Sequence, residues 1–96
     1  MTNKIALITG ATSGIGEATA RLLSKNQFNL IICGRREDRL VRLQDELASV
    51  TKVHKLAFDV RDVAAVKMAL QALPSEWKKI DVLINNAGNA HGLDPI

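Results

Sequence analysis

Thr9-Gly10-Ala11-Thr12-Ser13-Gly14-Ile15-Gly16 sets three glycines directly behind an apolar run and directly ahead of a helical stripe. A glycine-rich turn in that position is built to take a pyrophosphate. Gly10 permits the sharp turn off a strand, Gly14 lets backbone approach the anion, and Gly16 lets the helix pack against the strand. Amides near Ser13 to Ile15 would then face anionic oxygens, helped by the positive end of the helix dipole. Glycines also suit a plain flexible loop, and the GxxxGxG spacing departs from the usual GxGxxG. The turn therefore needs support from elsewhere in the chain.

Support comes from the residues after the second apolar run, Gly34-Arg35-Arg36. Proteins that use NAD usually place an acid there for the ribose hydroxyls. Two guanidinium groups instead pair with a 2′-phosphate, which a carboxylate would repel, so the expected cofactor is NADP. The competing account makes Arg35 and Arg36 solvated charges neutralised by Glu37 and Asp38. Asp59-Val60 and Asn85-Asn86-Ala87-Gly88 stand at the ends of two further runs. Taken singly, Asp59 reads as a helix-entry residue and the asparagines as a turn.

The elements that must position these residues alternate between short apolar runs and helical stripes. Ile5 to Thr9 is a run without polar alternation, as for a strand buried on both faces. Ile15, Ala18, Thr19, Leu22 and Leu23 form one face of a helix reaching about Lys25, with Asn26 and Gln27 in the turn. Leu30 to Cys33 is a second strand, and Leu40, Leu43, Leu47 and Val50 mark the inner face of a second helix. Val53 to Val60 alternates more, which places it near a sheet edge. Asp62 is suited to cap a helix carrying Val63, Val66, Leu70 and Leu73, closed by Pro74, before a fourth strand at Val82 to Asn85. The order βαβαβαβ gives an α/β, Rossmann-type, doubly wound parallel sheet with strand order 3-2-1-4 and the ligand crevice between strands 1 and 4.

TGATSGIG, the GRR after strand 2, the DV after strand 3 and the NNAG after strand 4, in this order, resemble the classical short-chain dehydrogenase/reductases. The resemblance covers essentially the whole chain. It implies that Gly10, Ser13, Gly14, Ile15 and Gly16 hold the pyrophosphate and neighbouring ribose, and that Arg35 and Arg36 take the 2′-phosphate. Asp59 would accept from the adenine amino group with Val60 beside it, and Asn86, Ala87 and Gly88 would line the nicotinamide side. Asn85 would brace the strands. The tail from Asn89 through His91, Gly92, Leu93, Asp94 and Pro95 is similar to the NADP-dependent serine and 3-hydroxy acid dehydrogenases of that family.

The resemblance implies an oxidoreductase that moves hydride between NADP(H) and a small hydroxy or oxo substrate, working as a homo-oligomer, tetramer or dimer. In that family a Ser, a Tyr and a Lys further along the chain do the chemistry. The 96 residues contain no Tyr, so residues 1–96 are expected to be the cofactor-binding part of one domain, with no catalytic residue. Strand 4 would then carry a bare edge at Val82, Leu83 and Ile84, and the third helix a bare apolar face. These features suggest the front of a longer chain. The alternative is a non-catalytic NADP(H)-binding module that ends at residue 96.

Composition narrows the remaining classes. Apolar residues make up 47% and charged residues 24% of the chain, which suits a globular domain. Thirteen Lys and Arg against ten Asp and Glu give a charge of +3. Lys52, Lys55, Lys78 and Lys79 come without aromatic platforms, so no nucleic-acid partner is expected. Cys33 is the single cysteine and the two histidines lack ligand spacing, so neither a disulfide nor a metal is expected. No run suits an export signal or a membrane span, making the cytoplasm the expected compartment. His91 reads as an idle loop residue, and Cys33, Trp77 and the methionines as packing.

Overall fold

The structure is a computed structural model that describes residues 3–86. Strand β1 (Ile5–Thr9) leads into helix α1 (Gly14–Lys25), β2 (Asn29–Gly34), α2 (Glu37–Leu47), β3 (Val53–Ala57), α3 (Val63–Gln71), a 3-10 turn at Ser75–Trp77 and β4 (Val82–Asn85). The four strands make one sheet ordered β3-β2-β1-β4. Every pairing is parallel, with Leu7 opposite both Ile31 of β2 and Leu83 of β4.

The sheet is covered on both faces because β1 is apolar from Ile5 to Ile8 and β2 from Leu30 to Cys33, and strand side chains alternate between faces. Ala6, Ile8, Leu30 and Ile32 pack with Ala20 of α1 and with Leu40, Leu43 and Leu47 of α2. Ile5, Leu7, Ile31 and Cys33 pack on the other side with Leu73 and Trp77. Each fully buried Leu or Ile in these layers contributes roughly 1.5–3 kcal/mol. Arg21 of α1 holds Glu46 of α2 at 2.6 Å, tying the two helices together at the surface.

Several expectations change on folding. The buried face of α1 is Gly16, Ala20 and Ser24, whereas Ile15 and Leu22 are exposed. Small residues at i, i+4 and i+8 let the helix sit close to the sheet, and that orientation turns Ile15 and Leu22 outward. Val50 is also exposed, because α2 ends at Leu47 and the amides of Val50 and Thr51 fold back onto the Leu47 carbonyl. Strand β3 stops at Ala57 rather than Val60. The Phe58 amide still reaches Gly34 O at 2.9 Å, but Asp59 then turns the chain by accepting from the Arg61 amide through its carboxylate and from the Asp62 amide through its carbonyl.

Helix α3 ends at Gln71, before Pro74, and contains no buried residue; Val63 and Met68 are exposed, so that methionine does no packing. The anchors on this side are Leu73 and Trp77, which follow the helix. Asp62 caps α3 as expected, accepting from the Ala65 amide at 3.1 Å. The outer face of β4 exposes Leu83. Among the described residues no helix is long and apolar enough to cross a membrane.

Candidate dinucleotide-binding site

Parallel strands deliver their carboxyl ends to one edge, and the chain reverses direction of growth between β1 and β4. A crevice at such a reversal is where ligands of open α/β sheets bind. The first turn there is fixed by its own backbone. Gly10 adopts φ 63°, in the left-handed region that favours glycine. Its carbonyl accepts from the Ser13 amide at 3.1 Å and from Ser13 Oγ at 2.8 Å. Ser13 Oγ in turn accepts from the Gly16 amide at 3.1 Å, so this serine is the N-cap of α1.

Because the Gly16 and Glu17 amides are taken by Ser13, the first-turn donors left to face a ligand are those of Gly14 and Ile15. A Cβ on Gly14 would meet nothing within 4 Å, which leaves its backbone open to an approaching anion. The loop is stitched to β2 by the Ala11 amide, which donates to Cys33 O at 3.0 Å. Thr12 packs its side chain over Gly34, where an added Cβ would lie 3.3 Å from Thr12 Oγ1. That contact, invisible in the spacing of the motif, holds the glycine turn beside the end of β2.

Arg35 and Arg36 follow Gly34 on the surface, and neither has an ion-pair partner among the described residues. Neutralisation by Glu37 does not occur, because Glu37 pairs with Lys55 of β3. At the end of β3 the Arg61 guanidinium and amide both bind Asp59. These bonds, with a smaller contribution from the charge of Arg35, hold the Asp59 carboxyl down to about 2. Asp59 is therefore ionised and already engaged by Arg61. Val60 lies beside it, exposed.

At β4, Thr9 Oγ1 donates to Asn85 Oδ1 at 2.7 Å, so Asn85 braces β1 against β4 as expected. The Asn86 amide donates to Thr9 Oγ1 at 3.1 Å. Asn86 Nδ2 is buried and meets no acceptor among the described residues. A buried donor without a partner costs about 1–3 kcal/mol, and a ligand carbonyl or hydroxyl in the crevice would relieve it. Ala87 and Gly88 lie outside the described residues, as does the tail from Asn89 to Ile96. A cavity of 740 Å³ lined by Asn3, Asn29, Ser49, Thr51, Lys52 and Trp77 opens at the opposite end of the strands, away from these groups.

Among the described residues the edge thus brings together an open helix N-terminus, two unpaired guanidinium groups, an ionised carboxylate and an orphaned amide. Such a set fits a dinucleotide with an extra phosphate on its adenosine side. A family model described as short chain dehydrogenase matches residues 4–95. The chain belongs to the short-chain dehydrogenase family.

Two relatives and one solved structure illustrate what the chain resembles within the family. The chain is 47% identical over 91 residues to an NADP-dependent 3-hydroxy acid dehydrogenase of Salmonella typhi, a match covering 95% of this chain and 36% of that protein. It is 49% identical over 89 residues to a serine 3-dehydrogenase of Rhizobium radiobacter, covering 93% of this chain and 35% of the relative. The fold superposes on L-sorbose reductase from Gluconobacter frateurii, solved with NADPH and L-sorbose, with a TM-score of 0.82 at 31% identity over 88% of this chain and 33% of that one. This short-chain dehydrogenase chain spans about a third of the length of the relatives it matches.

The hold of Arg61 on Asp59 and the contact of Thr12 with Gly34 are the features of this edge that the motifs did not reveal. For Arg61 a local signal exists, since an Asp two residues ahead of a turn amide commonly accepts from it. For Thr12 there is none, because its partner Gly34 lies on another strand.

Proposed function

We propose that this chain is the NADP(H)-binding part of an oxidoreductase that moves hydride between NADP(H) and a small hydroxy or oxo compound. Arg35 and Arg36 carry the reading: they are exposed, unpaired among the described residues and set at the end of β2, where an NAD-dependent protein would present an acid. When bound, NADP(H) supplies the hydride. Gly14 and Ile15 offer amides to the pyrophosphate, and Gly10 and Gly16 shape the turn that aims them. Ser13 acts by capping the helix. Asp59 and Val60 border the adenine, and Asn86 with Ala87 and Gly88 borders the nicotinamide.

The names of the relatives support a hydroxy acid as substrate class, and the family resemblance supports a homo-oligomer. No residue of the 96 is assigned the role of catalytic acid, since they include no tyrosine. That composition favours a second reading for these residues by themselves, binding of NADP(H) without turnover.

The test is titration of the chain with NADPH and NADH. Charge-assisted hydrogen bonds contribute about 1.5–3 kcal/mol each, so Arg35→Ala with Arg36→Ala should weaken NADPH by at least about tenfold and leave NADH nearly unchanged. Equal losses for the two cofactors would overturn the NADP assignment. Oxidation of a 3-hydroxy acid with NADP would separate the enzyme from the binding module.

A further inference from the structure

Glu37 and Asp59, two of the acids near the arginines, are held by other cations, and Asp38 makes no ion pair among the described residues. Glu37, which directly follows Arg36, pairs with Lys55. Asp59, at the end of the neighbouring strand, is held by Arg61 of its own turn. Its Oδ1 accepts from the Arg61 amide at 2.9 Å and from Nε at 3.1 Å, and its Oδ2 accepts from Nη2 at 2.8 Å. A carboxylate offers about four acceptor directions, so Arg61 fills most of them. Arg35 lies close enough for its charge to stabilise the same carboxylate, yet it makes no ion pair with it.

We propose that Arg61 is a positioning residue that sets cofactor preference: it holds the Asp59 carboxylate so that Asp59 neither pairs with Arg35 nor faces the 2′-phosphate. This rests on reading the site as one for NADP(H). The planar guanidinium fork and the backbone amide act together on one carboxylate, a geometry that a lysine cannot reproduce. With Arg61 in place, Arg35 and Arg36 stay clear of Asp59 and remain available to the ligand. Without it, Arg35 is the other cation whose charge already acts on Asp59.

The experiment is titration of the whole chain and its variants with NADPH and NADH, with folding checked by circular dichroism. Arg61→Gln should lower the preference for NADPH over NADH by about tenfold, the size of one charge-assisted hydrogen bond, while NADH affinity holds. Arg61→Lys should recover only part of it. Adding Asp59→Asn to Arg61→Gln should restore the preference, even with both affinities lower, because the carboxylate that competes for Arg35 is gone. An equal loss for both cofactors in Arg61→Gln, or no recovery of preference in the double variant, would overturn the proposal. Should Arg61→Gln fail to fold, carbon-detected NMR on Asp59→Asn alone and on the parent serves instead. A parent Arg35 guanidinium already paired with Asp59 in solution would overturn the proposal, and an unpaired one would sustain it. A parent chain with no preference for NADPH overturns the proposed function and this inference together, whereas a parent with that preference, unchanged in Arg61→Gln, overturns this inference alone.

Discussion

The carbonyl oxygen of Gly10 stands 2.0 Å from the point where a Cβ on Gly16 would begin. The glycine turn and the first helix are thus packed backbone against backbone, and Gly16 is required by space. Its neighbour Gly14 is different, with nothing within 4 Å of an added Cβ. Two glycines of one motif therefore serve separate ends, one closing the fold and one leaving room for a ligand.

Gly16→Ala should cost at least about 1–3 kcal/mol, the usual range for forcing atoms into a packed interior, because the opposing atom is main chain and has no rotamer to change. Gly14→Ala should leave stability within about 0.5 kcal/mol and still weaken dinucleotide binding, since the new methyl occupies the approach to the amides. Urea unfolding together with NADPH titration of both variants checks the contrast. A Gly14→Ala chain that binds normally would show that the anion does not approach there.

The brace between the central strand and its neighbour reads out through Asn85. Thr9 Oγ1 donates to Asn85 Oδ1 at 2.7 Å, so an acceptor is what the position requires. Asn85→Ala should destabilise the chain by about 0.5–1.5 kcal/mol. Asn85→Asp keeps that acceptor and should recover most of the loss at neutral pH. Equal destabilisation by both substitutions, measured by chemical unfolding, would assign the effect to something other than this bond.

Burial pushes the Cys33 thiol from about 9 up to about 12. The folded chain therefore keeps its proton at pH values where the unfolded chain has lost it. The stability linked to this group is complete below about pH 9 and is lost as pH rises from there toward 12. Cys33→Val should flatten the decline in unfolding midpoint between pH 8 and pH 10.5 relative to the parent. Alkylation of the native thiol at pH 8 should be slow and should become rapid in urea. Fast native labelling would contradict its place between β2 and the layer of Leu73 and Trp77.

Much of the architecture was legible in one dimension. Apolar runs at Ile5 to Ile8 and Leu30 to Cys33, bounded by turn residues, read as strands covered on both faces, and parallel strands with helical crossovers leave few topologies. The strand order and the shared edge of the four motifs follow from those two constraints. Caps were legible for the same reason: Asp62 acts on an amide three residues away.

What the amino-acid order determined by itself is therefore local or combinatorial: strand and helix identity, the turn at Gly10, and the set of groups at the carboxyl edge. Only the tertiary structure decided which side of α1 turns inward, because a stripe of small residues and a stripe of Ile15 and Leu22 are both available until the sheet selects the closer packing. The same holds for charge. Glu37 was adjacent in sequence to Arg36 but goes to Lys55 on the neighbouring strand, since an ion pair forms with the cation that the sheet register brings within reach.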